Sequence, residues 1–143
     1  MEIHTEYLSL QSRGFNDIVD ISSRLNEILH DSAFIEGQMT IFVSGSTAGL
    51  TTIEYEPGLL RDLPEFFEGI IPMKKSYHHD QTWHDGNGYA HLRSSLIKPF
   101  FTVPFHAGRL LLGTWQQVVF IDFDNRPRQR KLVVQIIGMK KAG

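Results

Sequence analysis

The run from Leu110 to Asp124, LLLGTWQQVVFIDFD, restricts the fold more than any other stretch of this chain. Read as a strand, it puts Leu111, Trp115, Val119, Ile121 and Phe123 on one face. Leu110, Leu112, Val118 and Phe120 take the other. A strand apolar on both sides belongs in the middle of a fold, covered twice. The second cover can be a helix, another sheet or another subunit. Gln116 and Gln117 break the run and point to opposite faces, so at least one needs a buried partner. Gln116 is a candidate either for a hydrogen bond to substrate or for a polar bridge within an oligomer.

The flanking segments read as further strands. Glu2–Leu10 alternates weakly. Gln38–Ser44 places Met39, Ile41 and Val43 on one face, and Leu50–Tyr55 is rich in β-branched residues. Pro99–Val103 reads as a strand limited by Pro104, His106–Arg109 as a hairpin turn, and Lys131–Gly138 as a final strand. A helix from Asp17 or Ile18 to His30 fits the stripe Ile18, Ile21, Leu25, Ile28 and Leu29, with Asn16 or Asp17 as its cap. Pro57 starts a second helix, and Pro64 should break it. The sum is one α+β domain over residues 1–143, sandwich-like, with largely antiparallel sheets and covering helices.

Composition narrows the chemistry. A net charge of -2 gives no general attraction to nucleic acid or anionic membrane. With no cysteine, disulfides, thiolate metal sites and a cysteine nucleophile are excluded, which suits a cytoplasmic protein. The first residues lack the pattern of a signal peptide, and no apolar segment is long enough to span a bilayer.

Chemistry concentrates in His78–Arg93, HHDQTWHDGNGYAHLR, which holds four of the seven histidines. Asp85-Gly-Asn-Gly88 prevents one continuous helix, so the stretch reads as a loop followed by a helix over Tyr89–Leu96. Such a loop can gather His79, His84 and His91 around a divalent metal. Three imidazoles suit zinc better than magnesium, with an open position for water. The same histidines could instead do metal-free acid–base work or be tied structurally. Asp80 or Asp85 could orient a ligating ring. Arg93 could clamp a phosphate with its planar fork or form a salt bridge. Trp83 could stack on a planar ring. Upstream, Ser46 and Thr47 lie in the small-residue turn Ser44–Leu50, which could cradle a phosphate or be an ordinary turn. The basic cluster Arg126, Arg128, Arg130 and Lys131 reads as a solvated hairpin tip.

Four segments together resemble the YjbQ-like, or UPF0047, family: GSTAGLTTIEYEPGL at Gly45–Leu59, HHDQTWHDGNGYAHLRSSL at His78–Leu96, GRLLLGTWQQVVFIDFD at Gly108–Asp124, and RPRQRKLVVQIIG near the end. Some members are called secondary thiamine-phosphate synthase enzymes. The resemblance implies a homotrimer with a ligand site near subunit contacts and a metal at the histidine block, matched here by His79, His84 and His91. It also implies a transferase that joins a pyrimidine diphosphate to a thiazole phosphate and releases pyrophosphate. In that scheme His84 and His91 move protons, Arg93 or an ion meets the departing pyrophosphate, and Trp83 holds the pyrimidine. Ser46, Thr47 and Gln116 match the remaining signature positions. Where many members carry histidine, this chain has Gly45 and Tyr89. A metal-dependent hydrolase of small esters and a non-enzymatic ligand-binding or assembly protein are the rival readings.

Overall fold

A computed structural model describes residues 1–142. Strand β7 (Gln117–Asp122) runs through the centre and is buried on both faces, as the apolar run requires. It lies in the middle of a three-stranded antiparallel sheet between β2 (Asp17–Asp20) and β4 (Ala48–Ile53). Val118 and Phe120 face a second sheet of five strands, ordered β1-β8-β3-β5-β6. These are β1 (Glu2–Ser12), β3 (Phe34–Val43), β5 (Phe100–His106), β6 (Arg109–Leu110) and β8 (Arg128–Lys140). Val119, Ile121 and Phe123 face the helices instead. The central strand therefore separates two cores, one between the sheets and one beneath the helical layer of α2 (Pro57–Ile70) and α4 (Gly88–Ile97).

The long apolar run is not one strand. β6 ends at Leu110, and residues 111–116 turn outward, leaving Leu111 57% and Trp115 73% exposed. Gln116 causes this locally: its backbone N–H donates to the Gly113 carbonyl at 3.1 Å, and its side-chain oxygen accepts from the Gly113 N–H at 3.0 Å. The first helix is also shorter than its apolar stripe. Residues 17–20 pair with β7, and α1 (Ser22–Ser32) begins only after Ile21. An unpaired edge beside β7 would strand backbone groups next to the core, and β2 satisfies them. Asn16 and Asp17 thus do not cap the helix, and Ile18 packs in the strand.

Pro64 does not break α2, which runs unbroken for 14 residues. A proline removes one helical hydrogen bond. Here Glu56 caps the start by accepting from the Gly58 and Leu59 N–H groups, and buried Phe67 anchors the far end edge-on to Phe123 at 5.0 Å. Pro104 likewise does not stop β5, which continues to His106 and then turns through Ala107 and Gly108, both with positive φ. Among the described residues no helix is long and apolar enough to cross a membrane.

One close approach holds the five-stranded sheet. β3 and β8 touch at Gly37 and Gly138, beside a bulge between Phe34 and Glu36. A Cβ on Gly138 would run into the Glu36 carbonyl oxygen, and one on Gly37 into the Ile137 carbonyl oxygen. Gly138→Ala should therefore lower stability by about 2 kcal/mol or more. Thermal unfolding should show a midpoint drop of at least ~5 °C.

Candidate functional site

The two sheets leave their shared core open at one end, and polar residues close it. Along β8 the core-facing positions run Ile136, Val134, Leu132 and then Arg130 and Arg128. Along β7 they run Val118, Phe120 and then Asp122, with Asp124 just beyond the strand. Asp122 and Asp124 have no exposed surface. Arg130 grips Asp122 with both fork positions, Nε at 2.8 Å and Nη2 at 2.9 Å. Arg128 holds Asp124 at 3.0 Å and 2.7 Å. The Thr47 hydroxyl joins the halves, donating to Asp124 at 3.0 Å and accepting from Arg130 at 2.8 Å. Burial alone would raise the Asp124 pKa. The Asn125 N–H, the Thr47 hydroxyl and Arg128 outweigh it and hold the group below the usual carboxylate range.

This plug is the floor of a cleft of about 360 Å³. One wall is Gly45, Ser46 and Thr47 with the two arginines, and the other is His79, Trp83, Asp85, Asn87 and His91. Helix α4 is docked on β4 by the Ser94 hydroxyl, which donates to the Ala48 carbonyl at 2.6 Å, and by Gly49, whose missing side chain admits Ile97. His79 lies on a short helix, α3 (His78–Trp83), where a loop was expected. Asp80 ties this helix to α4 by accepting from the Tyr77 N–H at 3.2 Å and the Gly88 N–H at 2.9 Å. Those bonds and His79 lower the Asp80 pKa, although its burial works the other way. Asn87 stands between two carboxylates. Its amide nitrogen reaches Asp85 at 2.9 and 3.2 Å in one orientation and Asp124 at 3.4 Å in the other; the shorter pair favours the first.

His79 and His91 come together, with ring centroids 4.1 Å apart. Burial, and the proximity of His79, push the His91 pKa down and so favour the neutral imidazole. The His79 Nδ1 atom is buried without a hydrogen-bond partner, 3.9 Å from Asp80 and 3.7 Å from Asp85.

Three expected site residues lie elsewhere. His84 is the left-handed C-cap of α3 and does not line the cleft, so it joins neither a metal triad with His79 and His91 nor their proton chemistry. The turn into Asp85 points it outward. Arg93 is wholly buried, spending its guanidinium on the Ile71 carbonyl, Asn16 and Glu68 at 2.7 to 3.1 Å. It is a brace and has no free face for a phosphate. Gln116 sits at the opposite end of β7, beside Thr52 at 3.1 Å. Asp122 and Gln117, at the two ends of that strand, are about 17 Å apart. Thr47 reaches the cleft with its hydroxyl already used twice, whereas Ser46 and Trp83 are exposed at the rim.

The sequence does not single out Asp122 and Asp124, and it places Arg128 and Arg130 only in a solvated hairpin tip. Of that expected tip, Arg126 and Lys131 are exposed, whereas Arg128 and Arg130 are paired with buried carboxylates. The signal was present: Asp122 and Asp124 share the parity of Val118 and Phe120, and Arg128 and Arg130 that of Leu132 and Val134.

The family model described as UPF0047 protein YjbQ-like matches residues 6–139. A UPF0047 protein of Methanothermobacter thermautotrophicus is 34% identical over 138 residues, covering 96% of this chain and 94% of its own. One from Archaeoglobus fulgidus is 34% identical over 130 residues, covering 91% and 98%. A crystal structure of a YbjQ-like protein of unknown function from Sulfolobus solfataricus superposes with a TM-score of 0.91 at 26% identity, covering 96% of this chain and 99% of that one.

Two outcomes follow from this geometry. Asp122→Asn removes the carboxylate that Arg130 grips with both fork positions, leaving only Asp124 at 3.8 Å, and should cost about 3 kcal/mol in denaturant unfolding, whereas the apolar pair Asp122→Leu with Arg130→Met should cost less. In an NMR titration His91 should have a midpoint below the ordinary imidazole value of about 6.5. His79→Ala, which admits water and removes a like charge, should move that midpoint upward.

Proposed function

The chain belongs to the YjbQ-like UPF0047 family, and we propose that its cleft is the active site of an enzyme acting on phosphorylated small molecules. The observation that supports this reading is the opposition of its two walls. The Gly45–Thr47 turn presents small residues and the exposed Ser46 on the same wall as Arg130. The Arg130 Nη1 atom makes no hydrogen bond among the described residues and lies 3.1 Å from where a Gly45 side chain would begin. Glycine therefore leaves that donor open to the cleft. Opposite, His91 is biased toward the neutral imidazole, the form that can accept a proton.

A phosphate or pyrophosphate leaving group would meet Arg130 and the turn, where developing negative charge is best stabilised. Trp83 at the rim suits a planar ring. This is the arrangement a thiamine-phosphate synthase-like transferase needs. There the carbon–oxygen bond to pyrophosphate breaks as the thiazole nitrogen bonds the pyrimidine methylene carbon. In this version Arg130 takes the role first expected of Arg93. Gln116, remote within one subunit, would approach a cleft only from a neighbouring copy of a trimer.

A metal-dependent hydrolase is the second reading, favoured by the ligand atoms of His79, Asp80 and Asp85, which lie within 4.8 Å of one another. One imidazole and two carboxylates fit a divalent cation, and the unpartnered His79 Nδ1 is the atom that would gain most. Bound there, such an ion would supply Lewis-acid charge to a phosphoryl oxygen. His79 and Asp85 would hold it, with Asp80 shared between the ion and its backbone bonds.

Pyrophosphate release from a pyrimidine diphosphate and a thiazole phosphate tests the first reading, using protein cleared of host synthase. His91→Ala should cut release at least ~100-fold while leaving calorimetric phosphate binding within threefold. Release only from simple phosphate esters, abolished by chelator, would favour the hydrolase. Phosphate binding with no turnover of either kind would make the protein a binding module.

A further inference from the structure

Arg130 is shared by two depressions. One is the histidine cleft. The other is a groove of about 420 Å³ lined by Tyr7, Val43, Gln129, Lys131 and Val133. Strand pairing explains why they meet. β3 leaves β8 after Val43, which faces Leu132, whereas β1 follows β8 as far as Ser12, which faces Arg128. From Arg128 to Lys131 the strand thus has a neighbour on one side only. The chain departing from β3 crosses this gap as Ser44 and Gly45, which contact the groove and the cleft respectively.

The groove has its own chemistry. Two valines and the Tyr7 ring make its apolar surface, and no carboxylate lines it. The Lys131 ammonium is held 4.3 Å over the Tyr7 ring and has no carboxylate partner among the described residues. Aromatic and aliphatic walls under two cations favour a flat, electron-rich, uncharged or anionic body and repel a cationic one. A ligand filling both depressions would lie within the range of small-molecule sites in size.

We infer that the ligand of the histidine cleft is a phosphate ester with an aromatic body, its phosphate beside Gly45–Thr47 and its ring lying past Arg130 in the Tyr7 groove. This rests on the anion-binding reading of the cleft and places the ring of that ester across Arg130 from Trp83, which is left for the other planar substrate. Inorganic phosphate and 2-naphthyl phosphate, titrated calorimetrically into the full chain, test it. The aryl ester should bind at least ~10-fold tighter. Tyr7→Ala should bring it to within about threefold of phosphate without changing phosphate binding, and Tyr7→Phe should keep the advantage. Tyr7 is 56% exposed, so these variants should fold normally. Phosphate that binds with no aryl advantage, or an advantage that survives Tyr7→Ala, overturns the groove alone. Phosphate that fails to bind overturns the reading of the cleft and this inference with it. A lower sedimentation mass for Tyr7→Ala would show a second copy covering the groove, and also overturns it.

Discussion

Two buried carboxylates gripped by two arginines govern both the shape of this protein and the place where chemistry can occur. A sandwich of two short sheets must end its apolar core somewhere. Here the ending is Asp122 with Arg130 and Asp124 with Arg128. Taking the two carboxylates out of water is expensive, and the pairs offset that cost because Arg130 meets both oxygens of Asp122 and every oxygen of Asp124 has a partner. Such a cluster contributes little net stability compared with apolar packing. What it contributes is a polar, ordered floor at the surface. Sliding β7 against β8 would unpair it at once, so it also fixes how the sheets meet.

The backbone beneath that floor is pinned from the other side. Gly14, Phe15 and Asn16 take successive left-handed conformations, with φ of 73°, 52° and 66°. The conformation is uncommon for phenylalanine and costs energy. It allows the Phe15 and Asn16 N–H groups to reach the Asp124 and Asp122 carbonyls, each at 2.8 Å. The Asn16 side chain then accepts from Arg93, which also holds the end of α2. Floor, strained turn and helical layer are one connected unit. Displacing Arg93 would therefore loosen the histidines on α3 and α4 without touching them.

The cleft joins groups that are ordinarily incompatible. Burial favours a neutral imidazole at His91, and the neighbouring His79 ring reinforces this. Asp85 on the same wall, and Asp80 next to His79 in the chain, favour a cation there instead. An anion on one wall and an acid–base or metal centre on the other is the division of labour expected where a phosphate must leave while a proton or nucleophile arrives.

The chain's one-dimensional pattern was enough for the α+β class, the doubly covered central strand, the hairpin at Ala107–Gly108 and the nearness of His79 to His91. Each depends on local periodicity or on short separation along the chain. The pattern fell short where a residue's surroundings depend on how segments fold onto one another. For Arg93 the pattern left a phosphate clamp and a salt bridge both open; the structure has the salt bridge, to Glu68, and nothing nearby in sequence shows Asn16 and Ile71 closing around it as well. Arg128 and Arg130 looked solvated although their partners lie only four and eight residues away, because nothing in the local pattern shows the turn after β7 folding the arginines back onto Asp124 and Asp122. His84 shares the histidine block but not its cavity, since one left-handed turn sends it outward. Residue type and spacing determined which groups were available for chemistry. Only the packing of two sheets and a helical layer decided which of them are spent holding the molecule together and which remain free to act, because burial and pairing are properties of the enclosing surface and not of the chain.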